Sequence, residues 1–122
     1  MKLLLAIAPT VLLVVYGQLM TKWRVGIMAT ALGDGRGIVS KLVVYLSDPL
    51  IVSAYASSFL ASLAWVFVVE RYEISLAFPV YIGLITAIVA LGGAVLFQES
   101  LNPQKLLAIA LIAVGVIIAA NA

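Results

Sequence analysis

This 122-residue sequence contains no cysteine and no histidine, and only 10% of its residues are charged. Without cysteine there are no disulfides, thiolate metal sites or thiol nucleophiles. Without histidine the commonest general base at neutral pH is gone. Neither a Ser-His-Asp nor a Cys-His triad can be assembled from such a chain. No clustered carboxylates stand in for them, so an enzyme is not expected, and no metal or cofactor is implied. Seven basic residues face five acidic ones, a net charge of +2. So small an excess does not point to nucleic acid, because basic loops are ordinary in membrane proteins.

What the sequence has instead is hydrocarbon. It is 66% hydrophobic with a mean hydropathy of +1.27, whereas soluble domains are about 45–50% apolar and about 25% charged. The solvent for such a chain is lipid. A helix needs about 20 apolar residues to cross roughly 30 Å of hydrocarbon. Apolar runs at about 3–20, 49–69, 74–97 and 106–120 predict four transmembrane helices forming a single all-α domain over residues 1–122. The runs are continuous and not alternating, which favours helices over a barrel.

Met1-Lys2 followed by Leu3 to Val15 has the outline of a secretory signal, but no small-residue cleavage site follows and the apolar run continues to Met20. It is read as an uncleaved first span. Lys22, Trp23 and Arg24 close that span, and Asn102 before Pro103 is a candidate cap for the last one. Residues Ile38–Leu46, apolar around Lys41, either extend the second helix or lie in the membrane interface. Gly33-Asp34-Gly35-Arg36-Gly37 follows no strand and opens no nucleotide-binding unit, so it reads as a flexible turn. Lys22, Arg24, Arg36, Lys41 and Lys105 fall in the first and third loops, against Lys2 and Arg71 on the other side. This bias places the first and third loops in the cytoplasm and both termini outside.

No Asp, Glu, Lys or Arg lies in the middle of any span. Proton-coupled carriers usually need an embedded carboxylate with a raised pKa, and none is evident. Milder groups remain: Tyr16, Gly17, Gln18 and Thr21 in the first span; Ser53, Tyr55, Ser57, Ser58, Ser62 and Trp65 in the second; Phe78, Pro79, Tyr81, Gly83 and Thr86 in the third. Pro79 removes a backbone donor and predicts a kink or loosening, with Gly83 four residues on. A kinked helix beside aromatic and hydroxyl groups would make a wall for an amphipathic ligand. Alternatively, the serines and glycines merely allow close helix packing. Ala108 and Gly115, seven residues apart, form a small-residue stripe on the last helix that predicts self-association as a dimer.

The stretch Ser75-Leu-Ala-Phe-Pro-Val-Tyr-Ile-Gly83, continuing to Val95-Leu-Phe-Gln-Glu-Ser-Leu101, resembles the third helix of the drug/metabolite transporter superfamily. Gly17-Gln18-Leu19-Met20-Thr21-Lys22 resembles its first helix. Four-helix members include the small multidrug resistance transporters and the small subunits of lipid-linked aminoarabinose flippases. The resemblance implies a dimeric transporter whose first three helices line the substrate chamber and whose fourth dimerises, through Ala108 and Gly115 here. Carried over, the chamber takes Val14, Tyr16, Gly17 and Gln18 from the first helix and Phe78, Tyr81 and Gly83 from the third, with Gly83 as hinge. Multidrug members place an essential glutamate where this chain has Val14. Gly17-Gln18 with Lys22, and Phe78-Pro79, resemble the flippase branch instead.

The expected substrate is therefore a polyprenyl-phosphate-linked sugar or another amphipathic molecule in a bacterial inner membrane. Lys22 and Arg24 would receive the phosphate; Gln18, Tyr16, Tyr55 and Tyr81 would hydrogen-bond the sugar. The expected partners are membrane lipid and a second four-helix chain, identical or related. Two rivals stand beside this reading. One is a small multidrug or metabolite exporter coupled through Glu70, Glu73 or Glu99. The other is a non-transporting membrane subunit that stabilises a larger assembly.

Overall fold

The computed structural model describes residues 2–33 and 35–122; Met1, and Asp34 of the glycine-rich turn, lie outside them. The described residues form five helices: α1 (Lys2–Leu32), α2 (Ile38–Leu46), α3 (Pro49–Arg71), α4 (Ile74–Leu96) and α5 (Pro103–Ala120). All except α2 are long and apolar enough to cross a membrane. The chain is an all-α, multi-pass membrane protein.

The first helix does not end at the charges of Lys22 and Arg24, where the apolar run closes. It continues to Leu32, because Val25 to Leu32 holds no proline, the single Gly26 weakens a helix without ending it, and charge marks the membrane boundary without stopping a helix. It stops at Gly33, whose φ of 69° is open to glycine without strain. At about 1.5 Å per residue, α1 is longer than the hydrocarbon is thick, and its last turns extend past it.

Helix α2 is separate and does not prolong α3. Pro49 cannot donate into a continuing helix and would clash with the carbonyl four residues back. Asp48 instead caps α3, its Oδ2 accepting from the Ile51 N–H at 3.1 Å. Asn102 caps α5 in the same way, its Oδ1 accepting from the Lys105 N–H at 2.8 Å, with Pro103 in the first turn. Helix α4 runs unbroken through Pro79, as α1 does through Pro9.

Helix α1 packs along α3 and against α4, and α5 rests mainly on α4. The tight apolar core gathers Leu3, Ile7 and Val11 of α1, Val68 of α3, and Ala77 and Val80 of α4. These residues all lie towards the α3–α4 hairpin. Further along, α1 and α3 approach backbone to backbone at Gly17. A Cβ there would stand 2.9 Å from Ser58 Oγ and 3.0 Å from the Ala54 carbonyl oxygen. One turn away, the Ser57 hydroxyl donates to the Leu13 carbonyl at 2.6 Å, joining the two helices inside the apolar layer. The opposite end of the bundle carries Lys22, Arg24 and Lys105.

Candidate functional site

A cavity of about 400 Å³ lies between α1, α3 and α4, within the range of about 300–1,000 Å³ usual for small-molecule sites. Helical spacing builds each wall. Val14 and Gln18 are one turn apart on α1. Ser58, Ser62 and Trp65 share a stripe of α3. Phe78 and Tyr81 share a face of α4. Trp65 fixes the aromatic wall, its ring tilted against Tyr81 at a centroid separation of 4.5 Å and edge-on to Phe78 at 6.1 Å. The lining offers an amide, hydroxyls and aromatic faces, and neither a carboxylate nor an ammonium group.

Gln18 also borders a second space, of about 270 Å³, formed with Leu19, Lys22, Val89, Gly93, Phe97 and Glu99. This space, at the basic end and sharing Gln18 with the cavity, is termed the mouth. Lys22 Nζ faces Glu99 Oε2 at 3.7 Å, with both side chains roughly half exposed. Glu99 reaches this place through a local device. Gln98 takes a left-handed conformation, φ 52°, which folds the chain back over the end of α4. Gly93, lacking a side chain, leaves room for Glu99 Oε1, which a Cβ there would meet. Val14, Gln18 and Lys22 follow one another at four-residue intervals, so a single stripe of α1 runs from cavity to mouth.

Arg24 is committed elsewhere. Its Nε and Nη2 donate to the two carboxylate oxygens of Asp48 at 3.0 and 2.9 Å, in the bidentate geometry that guanidinium groups favour. Arg24's hydrogen bonds hold the Asp48 carboxyl below the usual carboxylate range; partial burial opposes this, and the Ile51 N–H adds to it. The pair clamps α1 to the start of α3. Of the two cations expected to meet a phosphate, Lys22 is the one beside the mouth.

The remaining sequence-predicted residues are dispersed. The Tyr16 hydroxyl bonds Ser53 Oγ at 2.7 Å across the α1–α3 seam. Tyr55 is exposed and outside the cavity lining. Gly17 is buried at the α1–α3 crossing. Gly83 faces α5, where a Cβ would overlap Val116 Cγ2 and approach Ile112; it serves the α4–α5 contact and does not line the cavity. On α5, Ala108 borders a cleft shared with α4, while nothing lies within 4 Å of a Cβ on Gly115. Among the described residues, no group of three or more His, Cys, Asp or Glu is placed to hold a metal ion.

No family model and no solved structure matches the sequence. A 57-residue stretch, 47% of this chain, is 40% identical to the probable 4-amino-4-deoxy-L-arabinose-phosphoundecaprenol flippase subunit ArnE of Pseudomonas savastanoi pv. phaseolicola (strain 1448A / Race 6). The match spans 49% of that protein, about half the length of the curated relative. The chain is thus a small multi-pass membrane protein that is similar, across slightly less than half its length, to a probable flippase subunit.

Proposed function

We propose that this chain is a transporter, or a transporter subunit, that carries the polar head of a polyprenyl-phosphate-linked sugar across a bacterial inner membrane. The observation that carries the reading is an uncharged, hydroxyl- and amide-lined cavity that shares Gln18 with a neighbouring space bordered by one loosely paired lysine. A sugar needs hydrogen bonds and an aromatic face, which Gln18, Ser58, Ser62, Trp65 and Tyr81 supply. A phosphate needs a cation that is not otherwise satisfied. An exposed ion pair is worth about 0–1 kcal/mol, so an incoming phosphate displaces Glu99 from Lys22 at little cost. Similarity to a protein named as a flippase subunit for an undecaprenol-linked aminosugar supports the same substrate class.

The absence of charge from the cavity argues against the proton-coupled cation exporter. Val14 stands where that mechanism would need a carboxylate, and Glu70 and Glu73 sit at the far hairpin. Glu99 is paired at the mouth. The energy for transport then comes from downstream consumption of the sugar, a second chain, or the membrane potential acting on the phosphate. Pairing with an identical or related chain through the open face of α5, around Ala108 and Gly115, would complete the chamber, since four helices enclose little space alone.

The test is transport of a short-chain polyprenyl-phosphate sugar in proteoliposomes holding the protein as purified with any copurifying chain. Head-group exposure is followed with a membrane-impermeant reagent. Lys22→Ala and Gln18→Leu are expected to abolish transport while leaving thermal stability unchanged. Undiminished transport in both variants would refute the assignment.

A further inference from the structure

A third space adjoins the mouth on its other side. This cleft of about 440 Å³ is lined by Tyr16, Leu19, Met20 and Trp23 of α1 and by Leu96 and Phe97 at the end of α4. The four α1 residues recur at the spacing of one helical stripe, about 10 Å long. The wall is almost wholly hydrocarbon and aromatic. Its phenol is already engaged, since the Tyr16 hydroxyl bonds Ser53. Leu19 and Phe97 belong both to this cleft and to the Lys22–Glu99 mouth, and Gln18 belongs both to the mouth and to the polar cavity. Three spaces therefore follow one another: polar, cationic, apolar.

We infer that the cleft holds the first part of the hydrocarbon tail of the lipid phosphate whose phosphate group sits at Lys22. This rests on the function proposed above and adds a tail subsite to it. The order of the three spaces matches the order of chemistry along such a molecule: sugar, phosphate, chain. The tail leaves the phosphate between Leu19 and Phe97 and runs from the level of Trp23 towards Tyr16, that is, from the boundary into the membrane. Ordinary membrane lipid is the competing occupant. The residues the cleft shares with the lysine's space favour the substrate, because a phosphate held at Lys22 tethers its own chain beside the cleft, whereas a bulk lipid chain has no such anchor.

The test uses the protein in nanodiscs and a short polyprenyl phosphate carrying a photoreactive diazirine near the phosphate. Label is expected on Leu19, Met20 and Phe97. Unlabelled polyprenyl phosphate, but not an excess of phosphatidylglycerol, should compete it away. Leu96→Trp enlarges an exposed side chain into the cleft and is expected to cut labelling about fivefold or more; Lys22→Ala should do the same by losing the phosphate. Equal competition by phosphatidylglycerol, or label spread evenly over α3 and α5, overturns the tail site. If the phosphate lipid still stabilises the protein through Lys22 in that case, the transport function stands without it. If no phosphate lipid binds at all, both fall.

Discussion

Replacing Gly17 tests the crossing on which the cavity's geometry depends. The Ala54 carbonyl oxygen, 3.0 Å from a Cβ at position 17, is fixed in the α3 backbone; Ser58 Oγ, at 2.9 Å, can rotate only at the expense of its place on the cavity wall. Gly17→Ala must therefore push α1 from α3, an overpacking cost of about 1–3 kcal/mol. Against this, alanine gains about 0.5–1 kcal/mol over glycine in a helix interior. Gly26 provides the control, because it lies on the same helix with nothing within 4 Å of an added Cβ. Gly26→Ala should gain the helical term alone. The difference between the two variants in equilibrium unfolding from detergent micelles is then the overpacking cost itself, about 1–3 kcal/mol. Gly17→Ala should also weaken ligand binding by moving Val14 and Gln18 from Ser58. Equal stability of the two variants would refute the close approach of α1 and α3.

Three further outcomes are expected. Asp48→Asn keeps a capping side chain but loses the charge facing Arg24. Because the folded carboxyl is held below its ordinary value, the pair stabilises fully above the unfolded pKa of about 3.9 and fades as pH falls through the folded one. The stability gap between wild type and Asp48→Asn should thus be constant from neutral pH to about 5 and close in acid. Thr10 Oγ1 is buried without a hydrogen-bond partner among the described residues, so Thr10→Val should stabilise the protein by about 1 kcal/mol in the same unfolding assay. Gly115→Ala places a Cβ with nothing within 4 Å among the described residues. Unchanged monomer stability with weakened association, read by cross-linking in lipid, would mark that stripe as a contact between chains.

Much of the fold could be read from the sequence, because lipid demands long apolar runs and the cap-proline pair Asn102-Pro103 marks the start of the last; that Asp48 caps α3 and parts it from α2 emerges only in the structure. The true length of α1 could not, since Lys22 and Arg24 signal where water begins and only Gly33 signals where the helix stops. The cavity was partly legible: Val14, Gln18, Phe78 and Tyr81 line it, whereas Gly17 and Gly83 turn to neighbouring helices. A glycine in a span says only that something comes close, not whether it is a ligand or another helix. The partners of the two cations were hidden for a similar reason. Asp48 lies 24 residues from Arg24 in sequence, and Glu99 reaches Lys22 only through the left-handed turn at Gln98, which no local pattern announces.

The most direct test of the central claim is ligand-dependent thermal stabilisation of the purified protein at two pH values. It compares a short polyprenyl phosphate and its sugar adduct with a tetraphenylphosphonium-type cation. A ligand that binds only the folded state stabilises it by about 2.7 kcal/mol at a hundredfold excess over Kd. Stabilisation by the phosphate lipids alone, lost in Lys22→Ala, is the predicted result; a pH-dependent shift with the cation alone would contradict the account.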